Sequence, residues 1–392
     1  MNVLLFAIRA SHKKFFTALK KEDPNAFDIV FPKYRFALSL QGLKEYKQVD
    51  LNPAIDFAIE EFRIKVAPLP RGVLRLYFRA LATFHYLRYY DLIDSKYDAM
   101  LLWNGGKCRQ RVALEIAKLK GVQPLFFENG LLPNRLVLDT QGINADNSVP
   151  RERSFFEAYE NSQPLPNTLI PRRPKNKKKF QAPLDPLPEQ FIFVPFQVDS
   201  DTQIITNSLW IKNMRELFRV IEKLSLVTPY HFVLKEHPSS SRNYPDLHER
   251  AKGLERVAFA NGYATQELIE KSLAVITINS TVGVESLLFK KRVMVLGNAF
   301  YRIEGITKGV DDFEGLREVI EHLDAWEFDA VLVEKFLKYL YYDYLIPKEE
   351  PEVYGHFYRF IQESVAYKKR SNGSGTLASP KEDETKVSFP IK

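Results

Sequence analysis

The chain has 392 residues, enough for two or three domains at roughly 150 residues each, and its 45% hydrophobic and 27% charged residues are the balance of an ordinary globular protein. Its single cysteine, Cys108, excludes an internal disulfide framework and a cysteine-built zinc site. Of the net charge of +7, six positives fall within residues 172–179 (Arg172, Arg173, Lys175, Lys177, Lys178 and Lys179), which leaves 50 basic against 49 acidic residues elsewhere. That distribution argues for a solvated basic linker and against a nucleic-acid-binding face, with contact to anionic lipid as the other reading.

Residues 2–8 (NVLLFAI) hold six consecutive apolar residues before Arg9 and no small-residue cleavage site, so they predict a buried first strand and not a signal peptide. No apolar run reaches the roughly 18 residues of a membrane span. The expectation is a cytoplasmic protein in a reducing compartment. Residues 71–90 mix aromatics with bases and predict an amphipathic helix, either packed into a core or lying at a membrane interface. Residues 334–345 (EKFLKYLYYDYL) read the same way.

An apolar run at residues 99–103 (AMLLW) ends in Asn104-Gly105-Gly106 and leads into a helix over 109–119. The next run, residues 122–127, ends at Glu128-Asn129-Gly130. Strand, loop, helix, strand is a βαβ unit of a parallel sheet, whose functional residues collect at the carboxyl ends of strands. Seven prolines and the basic run mark residues 161–189 as a linker. A second α/β series follows: strands at 191–195, 231–235, 273–278 and 293–296, with helices near 210–224 and from about 282. The pattern after Gly315 is helical to about residue 367, and the polar end is expected to be disordered. The domains expected are 1–160 on the acceptor side, the linker 161–189, 190–330 for a nucleotide sugar, helices over 331–368 and a tail over 369–392. No internal repeat is present.

Four clusters sit at predicted strand ends. In the first, Glu128, Asn129 and Gly130 place a carboxylate at a strand-to-loop corner where it could serve as acid or base, or simply face solvent. In the second, Gln197, Asp199 and Asp201 follow FIFVP; a carboxylate there could attack a sugar carbon, bind a metal or cap the next helix. Asp199-Ser200-Asp201 is the only DxD in the chain. In the third, Lys235 and His237, before Pro238, could neutralise a phosphate or a sugar carboxylate. In the fourth, Ser280, Thr281, Gly283 and Glu285 open a helix whose N-terminus favours an anion such as a nucleotide phosphate, with a plain Ser/Thr cap as the alternative. There is no GxxxxGK[ST], HExxH or GxSxG pattern.

Taken together, FENGLLPN, QVDSD, KEHP and STVGVE resemble the bacterial capsule-polysaccharide biosynthesis family, and within it most of all the retaining β-Kdo transferases that use CMP-Kdo. The resemblance covers about half the chain, from residue 103 to 301. It implies two Rossmann-like α/β domains in a GT-B-like arrangement with C-terminal helices. By resemblance Asp201 is the nucleophile, Glu128 the acid/base, and His237 the group that stabilises the departing phosphate. Gln197, Lys235, His237, Ser280, Thr281, Gly283 and Glu285 form the CMP-binding set. Asn129, Gly130, Asn144 and Arg151 serve the substrate, with Arg151 or Lys235 holding the Kdo carboxylate. Glu128, Asp201, His237 and Ser280 are expected on one cleft. No cofactor or metal is implied, because CMP carries one phosphate that protein cations can neutralise. The implied partners are a CMP-sugar donor, a lipid- or polysaccharide-linked acceptor and the inner-membrane surface, with no nucleic acid. The rivals are a transferase for another CMP-sugar and a non-catalytic capsule assembly or export component.

Overall fold

The computed structural model describes residues 1–34, 36–66, 69–169, 185–240, 242–349 and 351–373. The chain divides into two compact units: residues 1–130, 134–148 and the chain from 341 onward make the first, residues 131–133 and 149–340 the second.

The first unit opens with β1 (Val3–Phe6), all four residues of which are buried, then α1 (Ala10–Leu19) and β2 (Phe27–Val30). Helices α2 (Leu40–Glu45), α3 (Asn52–Lys65) and α4 (Arg71–Tyr89) precede β3 (Ala99–Trp103), α5 (Cys108–Leu119), β4 (Gln123–Asn129) and β5 (Arg135–Asp139). α4 turns Leu74, Phe78, Ala82, Tyr86 and Tyr89 inward, and the Tyr89 ring meets Phe6 edge-on at 5.2 Å. The core reading of this helix therefore holds for one of its faces.

The second unit contains α6 (Arg153–Ala158), β6 (Phe191–Pro195), α7 (Thr202–Asn207), α8 (Met214–Val227), β7 (His231–Lys235), α9 (Pro245–Lys252), β8 (Val257–Phe259) and α10 (Thr265–Lys271). It continues with β9 (Ala274–Thr277), α11 (Thr281–Leu288), β10 (Arg292–Val295), β11 (Lys308–Gly309), α12 (Phe313–Glu321) and α13 (Ala330–Lys338). Asn213 caps α8 by accepting from Glu216 N, which starts the helix at Met214 and not near residue 210. The chain then returns to the first unit with β12 (Ile346–Pro347) and α14 (Glu352–Gly373).

Two expected boundaries are corrected by this division. Residues 149–160 belong to the second unit, where Phe156 of α6 packs edge-on against Phe336 of α13 at 5.1 Å. The late helices are shared out: α13 stays in the second unit, while α14 packs Val353, Phe357, Ile361 and Val365 into the core of the first. Helix extends to Gly373, past the expected start of the tail at 369. The basic run at 172–179 and residues 374–392 lie outside the described residues.

The first sheet has the order β2-β1-β3-β4-β5-β12. β1 to β4 are parallel, β5 runs against β4, and β12 runs against β5. The second sheet, β8-β7-β6-β9-β10-β11, is parallel throughout, the strand order of a Rossmann fold. Helices cover both of its faces. Ile192, Val194, Phe232 and Ile276 pack with Leu217, Phe218 and Ile221 of α8, whereas Phe191, Phe193 and Val275 pack with Leu268 and Ile269 of α10. Burial on both faces is why these strands read as unbroken apolar runs.

Candidate active site

Chain order reverses between β1 and β3 in the first sheet and between β6 and β9 in the second. In open α/β sheets, ligands bind outside the carboxyl ends of the strands at such points.

In the first unit, β3 ends at Trp103, and Asn104 and Gly105 then take the left-handed backbone conformation (φ 69° and 84°), which asparagine and glycine tolerate best. This turn aims two donors at the neighbouring strand. Trp103 Nε1 donates to Glu128 Oε1 at 2.9 Å, and Asn104 Nδ2 donates to Oε2 at 2.8 Å. Asn129 N adds a third bond to Oε1 at 2.8 Å. Asn104 Oδ1 in turn accepts from Gly106 N at 2.9 Å, so the amide is fixed at both ends. Glu128 lies within β4, opposite Val137 of β5, and not in a loop beyond the strand. Antiparallel pairing with β5 extends the strand through the two polar residues. His12 stacks on Trp103 at 5.0 Å between centroids, and burial, reinforced by Arg9 and Arg109, pushes its imidazole down to about 4. The Asn104-Gly105-Gly106 cluster is legible in the sequence at a strand end, but the bonds of Trp103 and Asn104 to Glu128 and the stacking of His12 are not.

The other first-unit substrate residues are placed differently. Gly130 N donates to Arg135 O at 2.9 Å, and a Cβ at Gly130 would lie 2.1 Å from that oxygen, so the glycine is needed for backbone approach in the β4–β5 turn. Asn144 begins a short turn with φ 58°. The hydrogen bonds around Glu128 come from Trp103, Asn104 and Asn129, and Asn144 is not among them.

In the second unit the clusters stand on three loops beyond β6, β7 and β9, which are neighbours in the sheet. Gln197 and Asn279 exchange hydrogen bonds between the first and third loops: Gln197 Nε2 donates to Asn279 Oδ1 at 2.9 Å, and Asn279 N donates to Gln197 Oε1 at 3.2 Å. Both residues are buried. Gln197 thus clamps the switch point with the amide that was expected to meet CMP. Asn279 Nδ2 also donates to Gln203 O at 3.1 Å, which ties the start of α7 to the residue before Ser280.

The two aspartates of QVDSD have separate roles. Asp199 is buried and accepts from Met214 N at 2.8 Å, Tyr244 Oη at 2.9 Å and Arg242 Nη1 at 3.1 Å. It is a structural hub. Asp201 is exposed and caps α7 through Oδ1, which accepts from Gln203 N at 2.9 Å.

At the end of β7, Lys235 is buried, and its Nζ donates to Asn261 O at 2.7 Å and Tyr263 O at 2.5 Å. Burial pulls its ammonium down to about 8. A buried charge needs such acceptors, so the phosphate role expected of Lys235 competes with a structural one. His237 Nδ1 accepts from Ser239 N at 3.1 Å, which leaves the ring proton of the neutral form on Nε2. Beyond β9, Ser280 caps α11: its Oγ accepts from Val282 N at 3.2 Å, while its carbonyl accepts from Tyr301 Oη at 2.6 Å. A Cβ on Gly283 would lie 2.6 to 2.8 Å from the Tyr301 ring and hydroxyl. Gly283→Ala is therefore expected to destabilise the second unit by about 1–3 kcal/mol through overpacking, read as a lower denaturation midpoint. Arg151 belongs to this unit and lies 5.9 Å from the Phe300 ring, beside Tyr301.

Among the described residues no three His, Cys, Asp or Glu side chains group so as to hold a metal ion. No helix there is long and apolar enough to cross a membrane.

The family model described as "Capsule polysaccharide biosynthesis protein" matches residues 98–185 and 172–342. Protein FixF of Sinorhizobium fredii (strain NBRC 101917 / NGR234) is 37% identical over 259 residues, which are 64% of this chain and 62% of FixF, so the match spans under two thirds of that relative. The capsule polysaccharide export protein KpsS of Escherichia coli is 26% identical over 277 residues, covering 55% of this chain and 71% of KpsS. Among solved structures, a KpsC β-Kdo 2,7 transferase from Thermosulfurimonas dismutans aligns with a TM-score of 0.47 at 14% identity, over 90% of this chain and 94% of that one. With the family model matched across more than half of its length, the chain belongs to the capsule polysaccharide biosynthesis protein family.

Proposed function

We propose that the chain is a retaining glycosyltransferase that moves Kdo from CMP-β-Kdo to a lipid- or glycan-linked acceptor. One observation carries this reading: Asp201, His237 and Ser280, drawn from three separate motifs, stand on the loops beyond three adjacent parallel strands at the strand-order switch of the second unit. Family membership and the motif resemblance support it.

In the proposed reaction an Asp201 oxygen attacks the anomeric carbon of Kdo. The new C–O bond forms as the bond to the CMP phosphate breaks, and CMP leaves with the bonding electrons. The Nε2–H of His237 donates to the departing phosphate. Glu128 then takes the proton of the acceptor hydroxyl, whose oxygen displaces Asp201 from the same carbon. Two inversions give retention. Ser280, Thr281 and the amino end of α11 receive the CMP phosphate. Arg151, which donates to Val149 O, or Lys235, which donates to Asn261 O and Tyr263 O, holds the Kdo carboxylate. Protein groups neutralise the single phosphate, so the mechanism employs no metal.

Titration with CMP followed by CMP-Kdo turnover tests the proposal. CMP binding with acceptor-dependent CMP release and a β-Kdo product is the expected result. CMP binding with turnover only of another CMP-sugar would move the assignment to that donor. Absence of both would favour a non-catalytic component of capsule assembly or export.

A further inference from the structure

Fifteen large hydrophobic side chains are exposed among the described residues, and ten of them fall between residues 36 and 84, all in the first unit. Chance scatter over a surface needs no explanation, but a contiguous set does. On α4 the exposed residues Val73, Leu76, Tyr77, Ala80 and Phe84 recur at helical spacing and make an outward stripe, opposite the inward stripe of Leu74, Phe78, Ala82 and Tyr89. A soluble helix at a surface normally has one apolar face. This one has two.

The outward stripe is joined by neighbouring segments. The Arg88 guanidinium lies 5.2 Å from the ring centroids of both Phe84 and Phe36, and Ser39 N donates to Leu87 O at 3.0 Å, which docks the start of α2 against the end of α4. α2 then exposes Leu40 and Leu43, three residues apart, while Val66 and Leu69 extend the set beyond the other end of α4.

Charge accompanies the apolar surface. Residues 36–90 contain eight Lys and Arg against five Asp and Glu. All five acids have partners: Glu45 pairs with Tyr90, Asp56 with Arg75, Glu60 with Arg71, and Glu61 with Lys65 and Lys107. Asp50 accepts from Asn52. Lys44, Lys47 and Arg79 are exposed and make no ion pair among the described residues.

We infer that α2 and the outward stripe of α4 form a docking surface that lies flat on an anionic lipid bilayer. Apolar side chains enter the interface while Lys44, Lys47 and Arg79 meet phosphate headgroups. This inference goes beyond the proposed activity, since it stands on the first unit alone whatever sugar is transferred.

Co-sedimentation of the full chain with vesicles tests it, using phosphatidylcholine alone and phosphatidylcholine with about a third phosphatidylglycerol. The chain should pellet with the anionic vesicles and far less with the neutral ones, and added salt should release it. Leu76→Glu combined with Phe84→Glu should reduce anionic-vesicle binding by roughly tenfold or more, because two charges enter an apolar interface. Lys44→Ala, Lys47→Ala and Arg79→Ala together should also weaken it by roughly tenfold or more. Circular dichroism and CMP titration of the same variants should match the parent chain, which separates a docking failure from misfolding and from failure of the donor assignment. Equal pelleting with both vesicle types, or pelleting unchanged in the glutamate variant, overturns the inference. So does a concentration-dependent dimer abolished by the glutamate substitutions, which would assign the surface to a second copy of the chain.

Discussion

Asp201→Asn is expected to lower the rate of Kdo transfer by about a thousandfold or more while leaving stability nearly unchanged. The contrast follows from the two tasks assigned to one side chain. As the cap of α7, Asp201 needs only an oxygen that accepts from Gln203 N, and the asparagine amide oxygen supplies one about as well. As a nucleophile it needs a carboxylate, which asparagine lacks. Asp201→Ala would also remove the cap, at about 1 kcal/mol, and so mix the two effects. Initial rates of CMP release and denaturant midpoints separate them, with CMP affinity as the control for donor binding. An Asp201→Asn chain that transfers Kdo at the parent rate would reduce Asp201 to a helix cap.

The first unit should lose stability steeply between pH 6.5 and 4. His12 and His85 are both buried, and both imidazoles are pushed down to about 4. Burial is the main cause for each, followed by Arg9 and Arg109 at His12 and by Arg109 and Arg88 at His85. Above pH 6.5 both rings are neutral in the folded and unfolded chains, and the full stability is present. As the pH falls towards 4 the unfolded chain takes up protons that the folded chain excludes, so folding weakens. At about 1.4 kcal/mol per unit, each ring contributes a loss of about 3 kcal/mol across the window. Urea unfolding at several pH values, followed on the parent and on a His12→Phe, His85→Phe chain, reads this as a slope. The double variant should be markedly flatter whatever its absolute stability. Parallel curves would contradict the assignment of buried neutral rings.

Strands buried on both faces were the most legible part of the fold. β3, β6 and β7 coincide with the runs at 99–103, 191–195 and 231–235, because helices on both sides demand apolar residues at successive positions along the middle of each strand. β5 and the end of β4 were illegible because their polar residues are strand residues only through pairing, Glu128, Asn129 and Asp139 between β4 and β5 and Arg135 with Pro347 of β12. The return of β12 and α14 to the first unit depends on pairing across some 200 residues, which no local pattern reports. At the site, residue type and strand-end position picked out the loops, but not what each side chain does there. Gln197 and Asp199 look like ligands in sequence, and both are used to hold the loops in place. Their partners, Asn279, Tyr244 and Arg242, come from other loops. The roles of Trp103 and Asn104 were illegible for the same reason, since they lie in bonds to a carboxylate on the next strand.

The most direct test of the proposed mechanism is the intact mass of the Glu128→Gln chain after incubation with freshly generated CMP-Kdo, with Asp201→Asn alongside. Without the base that activates the acceptor, the first displacement should proceed and the second stall. The mechanism predicts a Kdo-sized mass increase on Glu128→Gln, one equivalent of CMP released, and the adduct mapped by peptide mass to Asp201, with no increase on the Asp201→Asn chain. Donor turnover by the parent enzyme with no adduct on the Glu128→Gln chain, or an adduct that persists in the Asp201→Asn chain, would contradict it.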